Sequence, residues 1–393
     1  MDTLAADGII LNNYYVQPSC TPSRAALMTG LYPIHTGTLK CSGHWNLGNY
    51  KLSYTPTFRG FDSFYGYYSP VEDYYDHTVL WDNQTGLDFW LNTQPLRNVS
   101  GIYSTHLYTD RTKFLIENRD VSKPFFLYLA YQAVHCANPY DPFQAPQENI
   151  DKFPYIGEEN RTIFAGMTDA LDESIGEIFQ ALFDAGMLDN TIIVLSADNG
   201  GLPFGFESNR GYNFPLRGGK STLWEGGCRA SAFVWSPLLK RKGVVSDQMM
   251  HVTDWVPTLY SAAGGNPQTL GKLDGTDMWV PLAYGSASPR YEILYNIDPI
   301  DRNSALRYTN YKLVLGTVND GEFDQRYLTT GGSRPYGDLD LLMAQSRAAQ
   351  VLREYYRTGI ESYAVTAVPP RNQPTDPNGY PSNLNGTWGS WQT

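Results

Sequence analysis

The sequence predicts an α/β fold in which a doubly wound, mostly parallel sheet is flanked by helices. Two apolar runs, residues 124–130 and 191–195, are typical of buried strands. Apolar residues between these runs recur at spacings of three and four, at Met167, Leu171, Ile175, Ile178 and Leu182. This is the period of an amphipathic helix, and alternating strands and helices are typical of a doubly wound sheet.

The remaining elements follow in chain order. A helical pattern over residues 108–117 precedes the first apolar run, and the amphipathic helix is predicted to end near Gly186. Residues 191–195 are apolar on both faces, as expected of a central parallel strand.

The pattern changes after residue 281. Short strand candidates lie at residues 292–297 and 311–315, and a helix is predicted near residues 339–356. We therefore predict two domains: an α/β domain over residues 1–281, and a smaller α+β domain with an irregular tail over residues 282–393.

Composition excludes several classes of protein. The 393 residues are 42% hydrophobic, which is ample for a core, and the net charge of -11 argues against a nucleic-acid binder. An anionic ligand would need a local cationic pocket.

The sequence has no run of eighteen apolar residues, so no membrane span is predicted. Four cysteines, Cys20, Cys41, Cys136 and Cys228, allow at most one disulfide bridge beside a modified Cys20.

Two observations on the compartment conflict. Four Asn-x-Ser/Thr sequons, at Asn83, Asn98, Asn160 and Asn385, have meaning only in a secretory glycoprotein. Residues 1–7 lack the apolar core of a signal peptide. A truncated start would reconcile the two observations.

Four polar residues follow predicted strands or glycine turns. Asp198 and Asn199 come directly after the second apolar run, where paired oxygens suit a hard cation, although Asp-Asn-Gly-Gly is also an ordinary turn sequence. His135 follows the first run and is a candidate functional or structural histidine. Lys220 lies in a glycine-flanked loop that can bring an ammonium group to a bound anion, or is a solvated surface residue.

Residues 20–30 read Cys-Thr-Pro-Ser-Arg-Ala-Ala-Leu-Met-Thr-Gly. Pro22 fixes one backbone angle, Ser23 can cap a following helix, and Arg24 supplies a permanently charged fork. A short string of this kind could also be an ordinary loop with a buried thiol. The whole string resembles the signature of type I sulfatases, in which the cysteine is converted to formylglycine.

The resemblance covers residues 1 to about 320 and is closest to the arylsulfatase B branch, the N-acetylgalactosamine-4-sulfatases. The similar segments are residues 5–15, 59–62, 72–77, 236–240, 251–258 and 296–299. The resemblance implies an alkaline phosphatase-like fold, a lysosomal or secreted location, and a sulfated glycan or other sulfate ester as substrate. It also implies modification by a formylglycine-generating enzyme.

The resemblance also implies roles for individual residues. The hydrated aldehyde made from Cys20 would attack sulfur, and Arg24 would position it. Asp198 and Asn199, together with the modified Cys20, would ligate one calcium ion. His135 would protonate the leaving alkoxide or bind the sulfate ester oxygen, and Lys220 would neutralise charge on the bridging oxygen.

The sequence departs from the family pattern in three places. An Asp-Asp pair that supplies two further calcium ligands is not found, so an N-terminal strand is expected to be missing. The family string Gly-Lys-Trp-His-Leu-Gly reads Gly43-His44-Trp45-Asn46-Leu47-Gly48 here, which leaves His44 able to carry charge but Asn46 unable to accept a proton. Residues 37–41 replace a few dozen residues, so a helix-strand unit is also expected to be missing.

Three functions follow. The first is a sulfuric ester hydrolase that uses formylglycine and calcium, with activity impaired by these departures. The second is a non-catalytic relative that binds sulfated glycans. The third is a phosphoryl-transfer enzyme with a Thr or Ser nucleophile, against which Cys20 within its motif counts.

Overall fold

The computed structural model describes residues 1–36, 45, 47–203, 210–298, 303–316 and 376–390. The α-helices of this part of the chain are α1 Asp2–Asp7, α2 Cys20–Thr29, α3 Pro33–Thr36, α4 Ser104–Glu117, α5 Gln147–Ile150, α6 Glu159–Asp184, α7 Glu225–Cys228, α8 Trp255–Ala262 and α9 Trp279–Tyr284. The strands are β1 Ile9–Leu11, β2 Tyr14–Tyr15, β3 Tyr65–Gly66, β4 Thr78–Trp81, β5 Gln84–Leu87, β6 Trp90–Leu91, β7 Gln94–Pro95, β8 Ile193–Ser196, β9 Ala232–Trp235, β10 Val244–Ser246, β11 Met250–His251, β12 Glu292–Asp298, β13 Asn303–Tyr308 and β14 Tyr311–Leu315.

The main sheet has the strand order β10-β1-β9-β8. Strand β1 pairs parallel with β10, whereas the β1/β9 and β8/β9 pairs are antiparallel. The predicted α/β class is confirmed, but the described sheet is mixed rather than mostly parallel. Apolar content alone does not distinguish the two cases, because a strand covered on both faces is apolar in either direction.

Strand β8 confirms a strand at the second apolar run but not its predicted central, parallel position. It pairs only with β9 among the described residues, and all four of its residues are half-buried. The outer edge of β8 therefore faces no partner strand in the part of the chain that is described.

Residues 124–130 were predicted to be a buried strand, and this prediction is wrong. The segment joins no ladder, and Phe126 is 67% exposed. Helix α6 contacts both the residue that follows this segment and the main sheet: Ser174 contacts the Tyr131 hydroxyl at 2.5 Å, while Phe179 packs edge-on against Trp235 of β9, with ring centroids 5.1 Å apart. The segment therefore lies next to α6 without pairing to a strand in the described part of the chain.

The predicted helices of the first domain are confirmed. Helix α4 contains residues 108–117, and α6 contains the amphipathic repeat, with Met167 and Leu182 buried and Gly186 at φ 65° beyond its end. The largest core cluster lies between the main sheet, α2 and α8, and contains Tyr14, Ala26, Val234, Met250 and Trp255. This core fixes α2 beneath the sheet.

A second sheet, β12-β13-β14, is antiparallel and confirms both predicted strands; β13 was not predicted. Ile293, Tyr295 and Ala305 of this sheet pack against Tyr15 and Leu223. The helix predicted near residues 339–356 lies outside the described residues, and the boundary at residue 281 stays a prediction. No helix among the described residues is long and apolar enough to cross a membrane.

Candidate active site

Helix α2 presents Cys20 in its first turn, and the thiol is partly exposed. Ser23 does not cap the helix as predicted, because α2 already begins at Cys20. Its hydroxyl instead accepts a hydrogen bond from Gln17 N at 2.9 Å and donates one to Gln17 O at 3.2 Å. These bonds fix the strand-to-helix turn that carries Cys20.

Arg24 lies one turn after Cys20 and is only 6% exposed. Its Nε and Nη2 lie 3.0 and 2.9 Å from Oδ2 of Asp198. Burial would raise the pKa of Asp198, but Arg24, Lys220 and His135 lower it below its ordinary value. Asp198 is therefore a carboxylate that holds the guanidinium next to Cys20.

The turn after β8 places Asp198 and Asn199 at the edge of the sheet. Gly200 is required there, because a Cβ at this position would lie 1.8 Å from the Gly226 carbonyl oxygen. Asn213 fixes the other side of the turn: its Oδ1 accepts from Gly201 N at 3.1 Å, and its Nδ2 donates to Gly201 O at 2.7 Å.

Lys220 and His135 meet at the same place. Lys220 is 4% exposed, and its Nζ lies 3.0 Å from Nε2 of His135. Nδ1 of His135 lies 2.9 Å from the Cys136 carbonyl, which can only accept, so Nδ1 carries a proton. The Lys220 ammonium group therefore donates to Nε2, and the solvated-surface alternative for Lys220 is wrong.

Asp198 and Asn199 only partly match a calcium site. Asn199 Oδ1 is buried without a hydrogen-bond partner, which suits a cation ligand, but Asp198 Oδ2 already binds Arg24. No group of three or more His, Cys, Asp or Glu side chains able to hold a metal occurs in the described ranges. Calcium takes six to eight oxygens, so these residues alone do not fit the ion.

The structure thus brings Arg24, Asp198, His135 and Lys220 together beside α2. His44 lies outside the described residues. Sequence reasoning missed Tyr128, whose hydroxyl bonds Arg24 and whose pKa is raised by burial. A single polar side chain within the apolar run 124–130 was the only signal for it.

Comparison with known proteins agrees with this arrangement. The Sulfatase family model matches residues 1–265. Arylsulfatase J of Mus musculus is 37% identical over 466 residues, a match that covers 100% of this chain and 76% of the relative. N-acetylgalactosamine-6-sulfatase of Homo sapiens is 26% identical over 344 residues, covering 76% of this chain and 64% of the relative.

The first of these matches is longer than the 393 residues of the chain, so the relative contains internal residues that have no counterpart here. Among solved structures, Ps i-CgsB in complex with k-i-k-neocarrahexaose has a TM-score of 0.72 and 25% identity. That likeness covers 95% of this chain and 89% of the other.

Proposed function

This chain belongs to the sulfatase family of sulfuric ester hydrolases, and on that premise we propose that it hydrolyses sulfate esters of sulfated sugars at Cys20. The observation that carries the proposal is the meeting of the Lys220–His135 pair and the Arg24–Asp198 pair at the start of α2. Two cationic side chains, Arg24 and Lys220, face the Asp198 carboxylate there. An anionic sulfate group is attracted to this excess of positive charge despite the overall charge of -11.

We propose that Cys20 is converted to formylglycine. The partly exposed thiol in the first turn of α2 is accessible for this modification. The hydrated aldehyde would supply one oxygen to attack sulfur. Its second hydroxyl would lose a proton to solvent as the carbon–oxygen bond to the sulfate group breaks, which re-forms the aldehyde and releases sulfate. Arg24 is held by Asp198, so it keeps its position and charge while the ester binds.

The proton for the leaving alcohol is assigned to the Lys220–His135 pair. In this proposal Lys220 Nζ carries the proton and donates a hydrogen bond to His135 Nε2, with the two nitrogens 3.0 Å apart. As the bond between sulfur and the bridging oxygen breaks, this proton moves to that oxygen, and the alkoxide leaves as a neutral alcohol. The positive charge of Lys220 stabilises the bridging oxygen before the transfer is complete.

The calcium ion predicted from the resemblance stays a prediction, and no step above depends on it. Asp198 and Asn199, together with the modified Cys20, would be among its ligands. Sulfated glycans are the proposed substrate class because N-acetylgalactosamine-6-sulfatase is a relative and because Ps i-CgsB was crystallised with k-i-k-neocarrahexaose, an oligosaccharide. An arylsulfatase B-like preference for N-acetylgalactosamine-4-sulfate units is part of the same proposal.

A lysosomal or secreted location is proposed from the four sequons and from the resemblance. Asn83, Asn98 and Asn385 are exposed, whereas Asn160 is half-buried in α6. Three of the four sites are therefore open to glycosylation as the chain folds.

The test is expression through a secretory pathway, followed by peptide mass spectrometry of residue 20 and an assay with 4-nitrophenyl sulfate. We expect the peptide to lose the Cys20 sulfur and carry an aldehyde, and Cys20→Ala to abolish turnover. The control is Cys228→Ala, which removes a thiol buried in another cluster and is expected to retain activity. Unchanged turnover in Cys20→Ala would refute the assignment.

A further inference from the structure

A loop beside the candidate active site, residues 210–217, is rigidly attached to it. Asn213 Nδ2, which donates to Gly201 O, shares its two hydrogens with the carbonyls of Gly218 at 3.1 Å and Gly226 at 3.0 Å, while Oδ1 accepts from Gly201 N. Gly201 also accepts a hydrogen bond from Lys220 N at 3.0 Å. The residues on either side of Asn213 are therefore held at a fixed place next to Lys220.

Those two neighbours are aromatic and exposed. Tyr212 is 65% exposed and Phe214 is 43% exposed. Their rings lie 6.2 Å apart and are inclined by 35°. Two large exposed aromatic side chains, on a loop that Asn213 fixes by hydrogen bonds, form an apolar surface of the kind that marks a binding site.

Arginines surround this aromatic pair. The Arg161 guanidinium lies over one face of the Tyr212 ring, 6.0 Å from its centroid, and Arg161 Nη1 donates to the Arg210 carbonyl. Arg217 stacks on Trp224 at 3.7 Å. In the described part of the chain no carboxylate forms an ion pair with Arg161, while Arg210 is 3.7 Å from Glu158. Three guanidinium groups therefore lie on or beside this loop, one of them near a carboxylate.

The loop also reaches the histidine side of the site. The Arg210 guanidinium lies over Phe143, 5.5 Å from the ring centroid. Phe143 packs in the cluster that includes Val134, the residue before His135. The aromatic pair and its arginines are thus linked to the Lys220–His135 pair through Asn213 on one side and through the Phe143 core cluster on the other.

We propose that Tyr212 and Phe214, together with Arg161 and Arg210, form a second subsite that binds a sugar ring adjacent to the one whose sulfate is hydrolysed. The C–H face of a pyranose ring packs on an aromatic ring, and a planar guanidinium pairs with the oxygens of a sulfate or carboxylate group. The preferred substrate is then an anionic oligosaccharide rather than a small aryl sulfate. This inference rests on the proposed function and extends it.

The experiment compares two probes, chondroitin 4-sulfate hexasaccharide and 4-nitrophenyl sulfate. Affinity for the hexasaccharide is measured by calorimetry on the full chain carrying Cys20→Ala, which prevents turnover. The kcat/KM for both probes is measured on the chain with Cys20 present. We expect Tyr212→Ala and Phe214→Ala each to weaken hexasaccharide binding about fivefold to tenfold, mainly through KM. The kcat/KM for the hexasaccharide should fall at least fivefold more than that for the aryl sulfate.

Arg161→Gln provides a second variant, with an expected loss of hexasaccharide affinity that shrinks as salt is raised from 50 to 300 mM. Tyr284→Ala, which removes a 63% exposed tyrosine of α9, is the matched control and should leave affinity unaltered. Thermal unfolding of each variant checks that the fold is retained.

The outcomes separate the two proposals. If the wild-type chain hydrolyses the aryl sulfate but does not bind the hexasaccharide, hydrolysis stands and the subsite is wrong. If it binds the hexasaccharide through Tyr212 and Phe214 but hydrolyses neither probe, the subsite stands and the hydrolytic function fails. Equal losses on both probes, or none, would also overturn the subsite.

Discussion

Replacing Asp198 with alanine tests whether the Arg24–Asp198 pair holds the site together. The change leaves the Arg24 guanidinium, 6% exposed, without the carboxylate that two of its nitrogens contact at 3.0 and 2.9 Å. Removing one partner of a buried ion pair costs about 3 to 5 kcal/mol. Because a domain is stable by about 5 to 15 kcal/mol, Asp198→Ala should remove a large share of the free energy of unfolding. Urea unfolding followed by tryptophan fluorescence measures it.

The matched control is Glu177→Ala, which breaks the exposed Lys113–Glu177 pair at 2.8 Å. We expect it to cost less than about 1 kcal/mol. The pKa of Asp198 is lowered in the folded protein, so its contribution is full above the unfolded pKa of about 3.9 and is lost as the pH falls through the lower folded value. The difference between wild type and Asp198→Ala should therefore shrink below about pH 4. Equal losses in both variants at pH 7 would refute the reasoning.

Three further predictions concern the site and the surface. Lys220→Met should lower kcat for 4-nitrophenyl sulfate by about 10²-fold or more, because it removes the ammonium group that contacts His135 and stabilises charge on the bridging oxygen. A change below threefold in steady-state assays would contradict this role. Addition of 5 mM calcium should stabilise the protein by less than about 1 kcal/mol, because two oxygen-bearing residues bind the ion weakly; a rise in Tm of 5 °C or more would mean that further ligands complete the site. Enzymatic deglycosylation of the secreted protein should remove glycans from Asn83, Asn98 and Asn385. Peptide mass spectrometry, which locates the Asn-to-Asp change left by the enzyme, would contradict the burial argument if it found Asn160 modified instead.

Local chemistry explains which parts of the site the sequence predicted. Cys20 and Arg24 lie in the quoted cysteine motif, whereas Asp198, His135 and Lys220 follow an apolar run or a glycine turn; the structure brings Arg24, Asp198, His135 and Lys220 together. Each position was ambiguous by itself, and their common location depends on long-range packing of α2 under the sheet. Tyr128 and Asn213 could not be found in this way, because their roles depend on contacts with Arg24 and Gly201 that no local pattern encodes.

The sheet shows the limit of pattern reasoning more clearly. Residues 124–130 and 191–195 are apolar enough for buried strands, yet Phe126 is exposed and β8 pairs on one side only in the described chain. An apolar run indicates that a segment can be buried between neighbouring strands or helices. The run does not indicate whether such strands or helices are present, because strand pairing depends on the rest of the chain.

The unpaired outer edge of β8 leaves the backbone groups of residues 193–196 without a ladder partner on one side, in the part of the chain that is described. An unpaired strand edge can pair with a strand of a second molecule, and the rate of such an encounter rises with the square of the protein concentration. Repulsion between chains of charge -11 opposes each encounter, and this repulsion reaches only about 10 Å at 0.1 M salt. Pairing through this edge would therefore increase with added salt and decrease in a low-salt buffer.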